Sequence, residues 1–472
     1  MRLAVFLAVW VLAAFPASSA ESGKKTVIPS PRAVTLRAAV STALKQNPEI
    51  LRALREIERT RGQIIEVRAQ ALPQIVNTAS YNQQDPRLFE VSASALTAGG
   101  FRFIQDKSWQ IDFQVRQLIY SGGQVQAAVK VAKLAEDTSH QLLRETVNRV
   151  IATVRTQFYA VLLNRELITV SEESIQLLSD QLRDQQNRFA AGTVPRFNVL
   201  QAEVALANAR PELIVARNNY LIARLQLART LGLDANSPVD ASGSLQANPR
   251  TLNLSAALKS AMERRALLKA QDNTVRTEKE SITIAKAGYK PQLNVTAGWQ
   301  LRNSRVTDDL TKEANGWIVG VTGNWNIFDG LATKGRMDQA AARLASAKVG
   351  YADSIRQVEL EVQTAFANVS QSREVIASQS KVVEQATEAI RLAKERLAAG
   401  AGTQLDVLSA EVALTQARTT QKQALASYHT AIAEFDRATG AETVYEAEFP
   451  DPRDNHFKAS LRRGKADLRP AD

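Results

Sequence analysis

Residues 188–210, RFAAGTVPRFNVLQAEVALANAR, align without gaps on residues 396–418, RLAAGAGTQLDVLSAEVALTQAR, and 13 of the 23 positions are identical. The same offset of 208 residues pairs QLIYSGG at 117–123 with WNIFDGL at 325–331. Self-similarity over a long period is the signature of a repeated structural unit. The chain is therefore expected to contain two copies of one fold, rather than the roughly three average domains that its length alone would suggest.

The two copies are expected to follow the same order of elements. The first repeat spans residues 35–232 and the second spans residues 254–440, with a linker at 233–253. In each copy a helical segment leads into two segments of alternating sequence, and a long helix and a return helix follow. Gly192 and Gly400 close the long helices, because glycine directly after a periodic run is a helix stop. One continuous helix through each glycine is the alternative, and a nearby proline or second glycine argues against it.

The helix lengths predict a tall column. The long helix at 121–191 has 71 residues, which is roughly 107 Å at about 1.5 Å per residue. The two shorter helical segments, 35–70 and 196–231, have 36 residues each. Stacked end to end they match the long helix, so each half should supply two helix strings and each chain four. Pro211 is expected to kink the return helix of the first half.

Four segments alternate between apolar and polar residues, which is the pattern of β-strands with one apolar face. They are residues 71–84, 108–120, 289–303 and 316–328, of which the first alternates least clearly. A small sheet packed on a soluble core is one interpretation. A membrane-spanning sheet is the other, because the segments have the roughly 10-residue length of barrel strands. They also contain all four tryptophans beyond residue 20, as interfacial aromatic girdles would require: Trp109, Trp299, Trp317 and Trp325.

A sheet exposed to lipid must close into a barrel, since open edges leave backbone groups unsatisfied in hydrocarbon. Four strands are too few for a barrel of at least about eight strands, so several chains should contribute to one barrel. Two chains would supply eight strands and three would supply twelve. The polar, even-numbered side chains should then face the lumen, and residues 85–107 and 304–315 should connect the strands outside the cell.

The two ends of the chain suggest its compartment. Residues 1–20 contain Arg2, an apolar run and small residues at 18–20, which is the layout of a cleavable signal peptide. A membrane anchor is the alternative, but the run is shorter than the roughly 20 residues of a spanning helix. Residues 21–34 are expected to form an N-terminal periplasmic segment, and residues 441–472 a largely irregular periplasmic extension.

Composition argues against several other classes of protein. The 59 basic and 48 acidic residues are interspersed, and no basic stripe or reading motif indicates nucleic-acid binding. The three histidines, His140, His429 and His456, lie far apart, and there is no cysteine. Neither a metal centre, a cofactor nor a catalytic site is therefore predicted. Without cysteine the chain has no residue for N-terminal lipidation, so the barrel is the expected means of membrane attachment.

An ordered set of short motifs resembles the TolC-like outer-membrane efflux proteins. The matching pieces are ALKQNPEIL at 43–51, LPQI and KPQL at the strand entries, QLIYSGG and IFDG after the strands, and RFAAG and RLAAG at the turns, followed by NVLQAE and DVLSAE. All but the first occur as pairs, one in each half. The resemblance covers residues 35–440. Because the chain has no lipoprotein cysteine, it resembles the type I secretion branch of the family more than the lipidated drug-efflux branch. It implies a mainly α fold with a transmembrane β part, in which a homotrimer forms a 12-stranded barrel and a 12-helix tunnel.

The resemblance also implies a function and partners. The protein would be the exit duct of a tripartite efflux or type I secretion system in a Gram-negative outer membrane, in contact with outer-membrane lipid and extending into the periplasm. Its partners would be a periplasmic adaptor and an inner-membrane transporter, either an ABC or a proton-driven one. A periplasmic coiled-coil scaffold without a pore is the alternative, and an enzyme is a third, weaker interpretation.

Two groups of site residues follow from the resemblance. The residues that match the family's adaptor-docking tip are Arg188, Ala191, Gly192, Val199, Leu200, Arg396, Ala399, Gly400, Val407 and Leu408. The alternative is that these residues only end and pack the helices.

The second group is a periplasmic gate. Asp406 matches the first gate aspartate of the family, and three copies would form an acidic ring that attracts cations. Three positions depart from the family pattern: Ser409 replaces the second gate aspartate, Gly402 replaces the gate arginine, and Asn198 is the first-half counterpart of Asp406. The alternative is that Asp406 is the N-cap of the return helix.

Overall fold

The structure, a computed structural model, describes residues 32–85, 107–234, 239–247, 250–303 and 309–441. The described helices are α1 Leu36–Gln46, α2 Pro48–Ala69, α3 Gln124–Ala190, α4 Arg196–Leu231, α5 Leu254–Arg264, α6 Ala266–Lys286, α7 Ala332–Ala398 and α8 Gln404–Thr439. The described strands are β1 Arg32–Val34, β2 Gln74–Gln83, β3 Lys107–Tyr120, β4 Val239–Ala241, β5 Gln292–Asn303 and β6 Glu313–Asn324.

The first helical segment of each half is broken, and the prediction of one continuous helix there was wrong. Asn47 separates α1 from α2, and its side-chain oxygen accepts the backbone N–H groups of Glu49 at 2.8 Å and Ile50 at 3.4 Å. Pro48 follows, and a residue before proline is driven out of the helical region. In the second half Arg265 separates α5 from α6 without a proline.

The long and return helices have nearly the predicted lengths. The helices α3 and α7 have 67 residues each, and α4 and α8 have 36 each. Both turns between them lie where the sequence placed them. Pro211 lies inside α4, which continues on both sides of it.

The helices form four parallel columns. On one side, α3 packs against α2 and α4, which share the first column. On its other side α3 packs against α6 and α8, which share the third column, and both of these contact α7 in the fourth. The short helices therefore stack along the long ones, as the lengths predicted. The first and fourth columns are the two lateral edges of the wall.

The four long strands form one antiparallel sheet with the order β2-β3-β5-β6. This order is the order of the columns, because β2 follows α2, β3 precedes α3, β5 follows α6 and β6 precedes α7. A shorter parallel pair, β1 and β4, packs beside α3 and α4. The strands coincide with the predicted segments except at their ends: β3 begins at Lys107 and β6 at Glu313, so residues 313–315 belong to the sheet and not to the predicted connection. Tyr289 belongs to a 3-10 turn, and Trp325 lies one residue beyond β6 rather than inside it.

Buried side chains lie between the columns. The largest cluster joins α1, α2, α3 and α4 around residues such as Ile50, Val154 and Leu227. A second joins α5, α7 and α8 around Val358 and Tyr428. None of the described helices combines the length and the apolar character needed to cross a bilayer.

Several predictions lie outside the described residues. They concern the signal peptide at 1–20, the N-terminal segment up to residue 31, the loop residues 86–106 and 304–308, and the extension at 442–472.

Candidate export pathway: the sheet and the helix tip

The register gives the sheet one apolar and one polar face. Phe113, Trp299 and Trp317 are directly opposite one another on β3, β5 and β6, so they form one lateral row. The apolar side chains of this face are largely exposed, and Trp317 is 75% and Val321 71% accessible. An apolar face of this extent, exposed in the described chain, indicates contact with lipid or with another chain.

The opposite face is polar. Its residues are Thr78, Ser80, Gln110, Asp112, Gln114, Arg116, Asn294, Thr296, Gln300 and Arg302, interrupted by Val76 and Ile318. The Asp112 carboxylate accepts hydrogen bonds from the side-chain amides of Gln110 and Gln300. The backbone of β3 approaches Gly298 of β5 closely, since a Cβ at Gly298 would be 2.3 Å from the Phe113 carbonyl oxygen.

Aromatic residues occur towards both ends of the apolar face. The Trp109 indole N–H donates to the Leu310 carbonyl at 3.0 Å, near the end of the sheet away from the helices. The Trp325 indole N–H donates to the Tyr289 carbonyl at 3.1 Å, near the helical end. From Trp317 to Trp325 the chain advances eight residues, or about 26 Å at 3.3 Å per residue if fully extended. At the roughly 40° strand tilt of outer-membrane barrels this path rises about 20 Å, which fits within their apolar band of roughly 25 Å.

The two helix turns at the opposite end of the chain have the same backbone geometry. Gly192 and Gly400 both have φ of 73°. The Gly192 N–H donates to Phe189 O and the next N–H donates to Arg188 O, and the second turn repeats this pattern onto Leu397 O and Arg396 O. This is a Schellman motif, which requires a left-handed residue and therefore favours glycine. The resemblance of RFAAG to RLAAG thus has a structural cause.

The predicted docking residues divide by exposure. Those exposed at the tip are Ala191, Gly192, Leu200, Arg396, Ala399 and Gly400, and Arg188 is half-buried and pairs with Asp184 at 2.9 Å. Val199, Val407 and Leu408 are buried. Leu408 packs against Leu178 and Leu206, so these three residues hold the helices together.

Sequence reasoning missed two exposed apolar residues at the tip. Phe197 and Leu405 are 68% and 59% accessible, and they occupy equivalent positions one residue into the return helices. The signal that could have found them is an apolar residue, repeated at the 208-residue offset, directly after each turn.

Asp406 is not the N-cap of α8, as the alternative interpretation held. Thr403 is the N-cap, and Asp406 is the third helical residue of a capping box. The Thr403 N–H donates to the Asp406 carboxylate at 2.8 Å, and the Asp406 N–H donates to the Thr403 hydroxyl at 3.2 Å. Hydrogen bonds from the Thr403 backbone and hydroxyl, aided by the charge of Arg396, lower the pKa of Asp406. The carboxylate is exposed and ionised at neutral pH. Ser409 is exposed and Asn198 half-buried.

A second acidic residue near the tip is buried. Glu411 of α8 is 2% accessible, and neither of its carboxylate oxygens has a hydrogen-bond partner. Burial raises the pKa of Glu411 to about 7, although the charge of Lys394 on α7 acts in the opposite direction. The sequence did not single this residue out, because both repeats have a glutamate at this position. Its counterpart Glu203 is exposed in the described chain.

The sheet and the helical wall both end, without a further neighbour in the described chain, at the same two lateral edges. Within the described chain the sheet ends at β2 and β6, and the helical wall ends at the first and fourth columns. The strands β2 and β6 run in opposite directions, so a β6 placed beside the β2 of another copy continues the antiparallel alternation. A half-apolar sheet continued by long helical columns defines the class of outer-membrane export ducts.

The sequence family agrees with this fold. The model of the family described as "Outer membrane efflux protein" matches residues 39–233 and 257–441. The chain therefore belongs to the outer membrane efflux protein family. The two matched segments correspond to the two repeats.

Individual relatives and structures show the same likeness. The chain is similar to the cobalt-zinc-cadmium resistance protein CzcC of Cupriavidus metallidurans, with 24% identity over 90% of this chain and 96% of that protein. It is 28% identical to the outer membrane efflux protein BepC of Brucella suis over 40% of each chain. Its fold resembles the Campylobacter jejuni CmeC outer membrane channel with a TM-score of 0.76, at 16% identity over 86% of this chain and 85% of that one.

The prediction of an outer-membrane efflux channel is confirmed by these findings. The protein is an outer-membrane exit duct of an efflux or secretion system in a Gram-negative bacterium, and it extends into the periplasm. The coiled-coil scaffold receives no support from them. Members of this family are channels rather than enzymes. The type I secretion branch stays a prediction, because relatives of several systems match.

Proposed function

We propose that three copies of this chain close into one tube that conducts cargo passively. The observation that carries this proposal is the coincidence of the open edges, since β2 and the first helical column end on one side and β6 and the fourth column on the other. A single four-stranded sheet would leave two edges unpaired in lipid. Three copies give twelve strands, within the range of outer-membrane barrels of at least about eight strands.

In the proposed trimer the apolar sheet face contacts lipid and the polar face lines the lumen. Trp109, Trp299 and Trp317 then lie towards the outer interface and Trp325 towards the periplasmic one. Tryptophan is favoured at both interfaces because its ring is apolar and its N–H is polar. The two tips of each chain point into the periplasm, where an adaptor connected to an inner-membrane transporter would dock.

Fractionation and mass measurement test the trimer. The full chain should be found in the outer membrane, require detergent for extraction, and migrate as a trimer on an unheated gel and as a monomer after heating. Native mass spectrometry of the detergent-extracted protein should give three chains per particle. A monomer or a dimer in mild detergent, or recovery from the soluble periplasm, would refute the closed twelve-stranded tube.

The tip is proposed to dock the adaptor through its exposed residues. Ala191, Gly192, Ala399 and Gly400 present little side chain, so a partner helix could approach the turns closely. Phe197 and Leu405 add apolar surface beside them. The buried residues Val199, Val407 and Leu408 would support the tip from within and make no contact with the adaptor.

Asp406 is proposed to form an acidic ring at the periplasmic end. Replacing Asp406 with alanine is expected to weaken block by divalent cations about tenfold and to lower the channel's preference for cations over anions, as loss of three ionised carboxylates at one constriction would do. Planar-bilayer recordings measure both quantities.

Thr403 provides the matched control for this experiment. The Thr403→Ala variant loses the hydroxyl half of the capping box, at a cost of about 1 kcal/mol, but retains the carboxylate. Cation block and the preference for cations should therefore stay close to those of the unchanged protein. Equal effects of the two variants would show that Asp406 acts through helix capping and not through its charge.

A further inference from the structure

A polar pocket lies where the sheet meets the helices. Its volume is about 360 Å³, and its polar lining residues are Gln70, Gln74, Arg116, Ser121, Gln124, Gln292 and Asn294. They come from α2, β2, β3, α3 and β5, so one chain builds the pocket. Gln74 and Arg116 are directly paired on neighbouring strands and belong to the polar face of the sheet. We call this feature the Arg116 pocket.

The Arg116 guanidinium has no acidic partner in the pocket. No aspartate or glutamate lines the described pocket. Among the residues that the structure describes, no carboxylate lies within 4 Å of Arg116, and its hydrogen bond is one to the Gln114 side-chain oxygen at 3.4 Å. Several other arginines of the described chain, such as Arg61 and Arg155, are paired with carboxylates at 2.8 and 2.7 Å.

The nearest acidic residue on the same face is already occupied. Asp112 is four residues from Arg116 on β3, or about 13 Å along the strand. Its two oxygens accept from Gln110 and Gln300, and at this distance it forms no ion pair with the guanidinium. The amide groups of the pocket can donate further hydrogen bonds, and together with Arg116 they provide the donors that an oxyanion requires.

The second repeat lacks this arginine and has an acidic residue in the equivalent segment instead. At the 208-residue offset Arg116 corresponds to Asn324 and Ser121 corresponds to Asp329. The Asp329 carboxylate accepts the backbone N–H of Thr333 at 2.8 Å, and hydrogen bonds with Thr333 lower the pKa of Asp329. The first repeat therefore has a cation and lacks the acid, although the two repeats share their backbone plan.

We propose that the Arg116 pocket binds carboxylate or phosphate groups of anionic cargo as it passes from the helical tunnel into the barrel. The proposal rests on the proposed trimeric channel, in which the polar face lines the lumen and three such pockets surround it. A planar guanidinium binds such oxyanions through paired hydrogen bonds. The pocket thus gives the duct a preference for anionic solutes at its barrel end, whereas the Asp406 ring favours cations at the tip.

Block of the channel by citrate tests this inference. Purified full-length protein in planar bilayers is titrated with citrate, and with inorganic phosphate in a second series, at pH 7 and constant ionic strength. The Arg116→Gln variant is expected to need about tenfold more citrate for half-block, the loss typical of a charge-assisted hydrogen bond. The Gln124→Glu variant, which adds a carboxylate to the same pocket, should weaken block in the same direction.

Arg302→Gln is the matched control. Arg302 lies on the same polar face and carries the same charge, but it is three rows further along β5 from the row of Arg116. Replacing Arg302 should change the citrate concentration needed for half-block less than twofold. Equal effects of Arg116→Gln and Arg302→Gln would reduce the inference to general lumen charge and overturn the site. Unchanged block in both pocket variants would overturn it as well. If the unaltered protein forms no pore, the proposed channel itself fails.

Discussion

Replacing Arg265 with alanine is expected to lower the free energy of unfolding by about 3 to 5 kcal/mol, the usual cost of leaving buried charges without their partner. Arg265 is among the largest fully buried side chains of the described chain. Its guanidinium donates to Arg437 O at 3.1 Å and Ala438 O at 3.0 Å, which are carbonyls at the end of α8. It also pairs with Glu361 of α7 at 2.7 Å and Glu145 of α3 at 3.2 Å.

These contacts tie three columns together at one level. Arg265 lies at the break between α5 and α6, directly where α6 and α8 meet end to end in the third column. Burial by itself would raise the pKa of Glu361, but the charges of Arg265 and Arg437 outweigh it and lower that pKa. The stabilisation from Glu361 is therefore present above its ordinary pKa of 4.5 and is lost as the pH falls through the lowered value.

Thermal unfolding in detergent, followed by circular dichroism, measures the loss. Arg264→Ala is the matched control, because Arg264 is the exposed neighbour in the same chain segment and its replacement should leave the midpoint unchanged. An Arg265→Ala midpoint equal to that of the Arg264 control would contradict the proposed role.

Asn47→Ala is the counterpart in the first half, where the Asn47 amide donates to Thr230 O at 2.7 Å. The Asn47→Ala variant should lose about 1 to 2 kcal/mol of the free energy of unfolding, as expected for the loss of an N-cap and one hydrogen bond.

Replacing Glu411 with glutamine is expected to remove a pH dependence of stability between pH 4.5 and 7. Burial raises the pKa of Glu411 to about 7, so the native state retains the proton where the unfolded chain has lost it. The stability of the unchanged protein should therefore fall as the pH rises from 4.5 to 7. A raised pKa of this size corresponds to a loss of at most about 3 kcal/mol of the free energy of unfolding at pH 8.

The groups around Glu411 explain why ionisation is costly there. Leu408 and Leu414 lie one turn away on α8, and Leu177 and Ile390 from α3 and α7 pack beside Leu414. Lys394 of α7 is the charged group of the described chain whose field acts on Glu411, and it does not compensate for burial. Ionised Glu411 would weaken the docking of α8 against both neighbouring columns.

Unfolding midpoints of the unaltered protein and of Glu411→Gln, measured at pH 5 and pH 8, test this expectation. The variant should be the more stable protein at pH 8 and should differ little at pH 5. Glu203→Gln changes the same residue type at the equivalent repeat position, where the described single chain leaves the carboxylate exposed, so this variant should behave as the unaltered protein does at both pH values. A pH dependence that persists in the Glu411 variant would refute the assignment.

The repeated local patterns could be recognised from the sequence. The alternation along β3, β5 and β6 has a period of two residues, and backbone pleating alone turns this into an apolar and a polar face. The turns at Gly192 and Gly400 follow from the need for a left-handed residue after a helix. The family resemblance and the channel class followed from these same motifs.

The breaks in the helical segments were not recognised. Asn47 followed by Pro48 was a local signal that could have been read, because an asparagine N-cap before a proline favours a new helix. Arg265 offered no such signal. Its break is stabilised by carbonyls 172 and 173 residues away and by carboxylates on two other columns.

Sequence by itself determined the two repeats, the faces of the strands and the turns, since each depends on neighbours within a few residues. The difference between equivalent positions was decided by tertiary structure alone. Glu203 and Glu411 occupy the same place in the repeat, but α4 packs against α3 on one side, whereas α8 lies between α3 and α7. In the described single chain, the glutamate of the first column, which has one neighbouring column, is exposed, and the glutamate of the third column, which lies between two columns of the same chain, is buried.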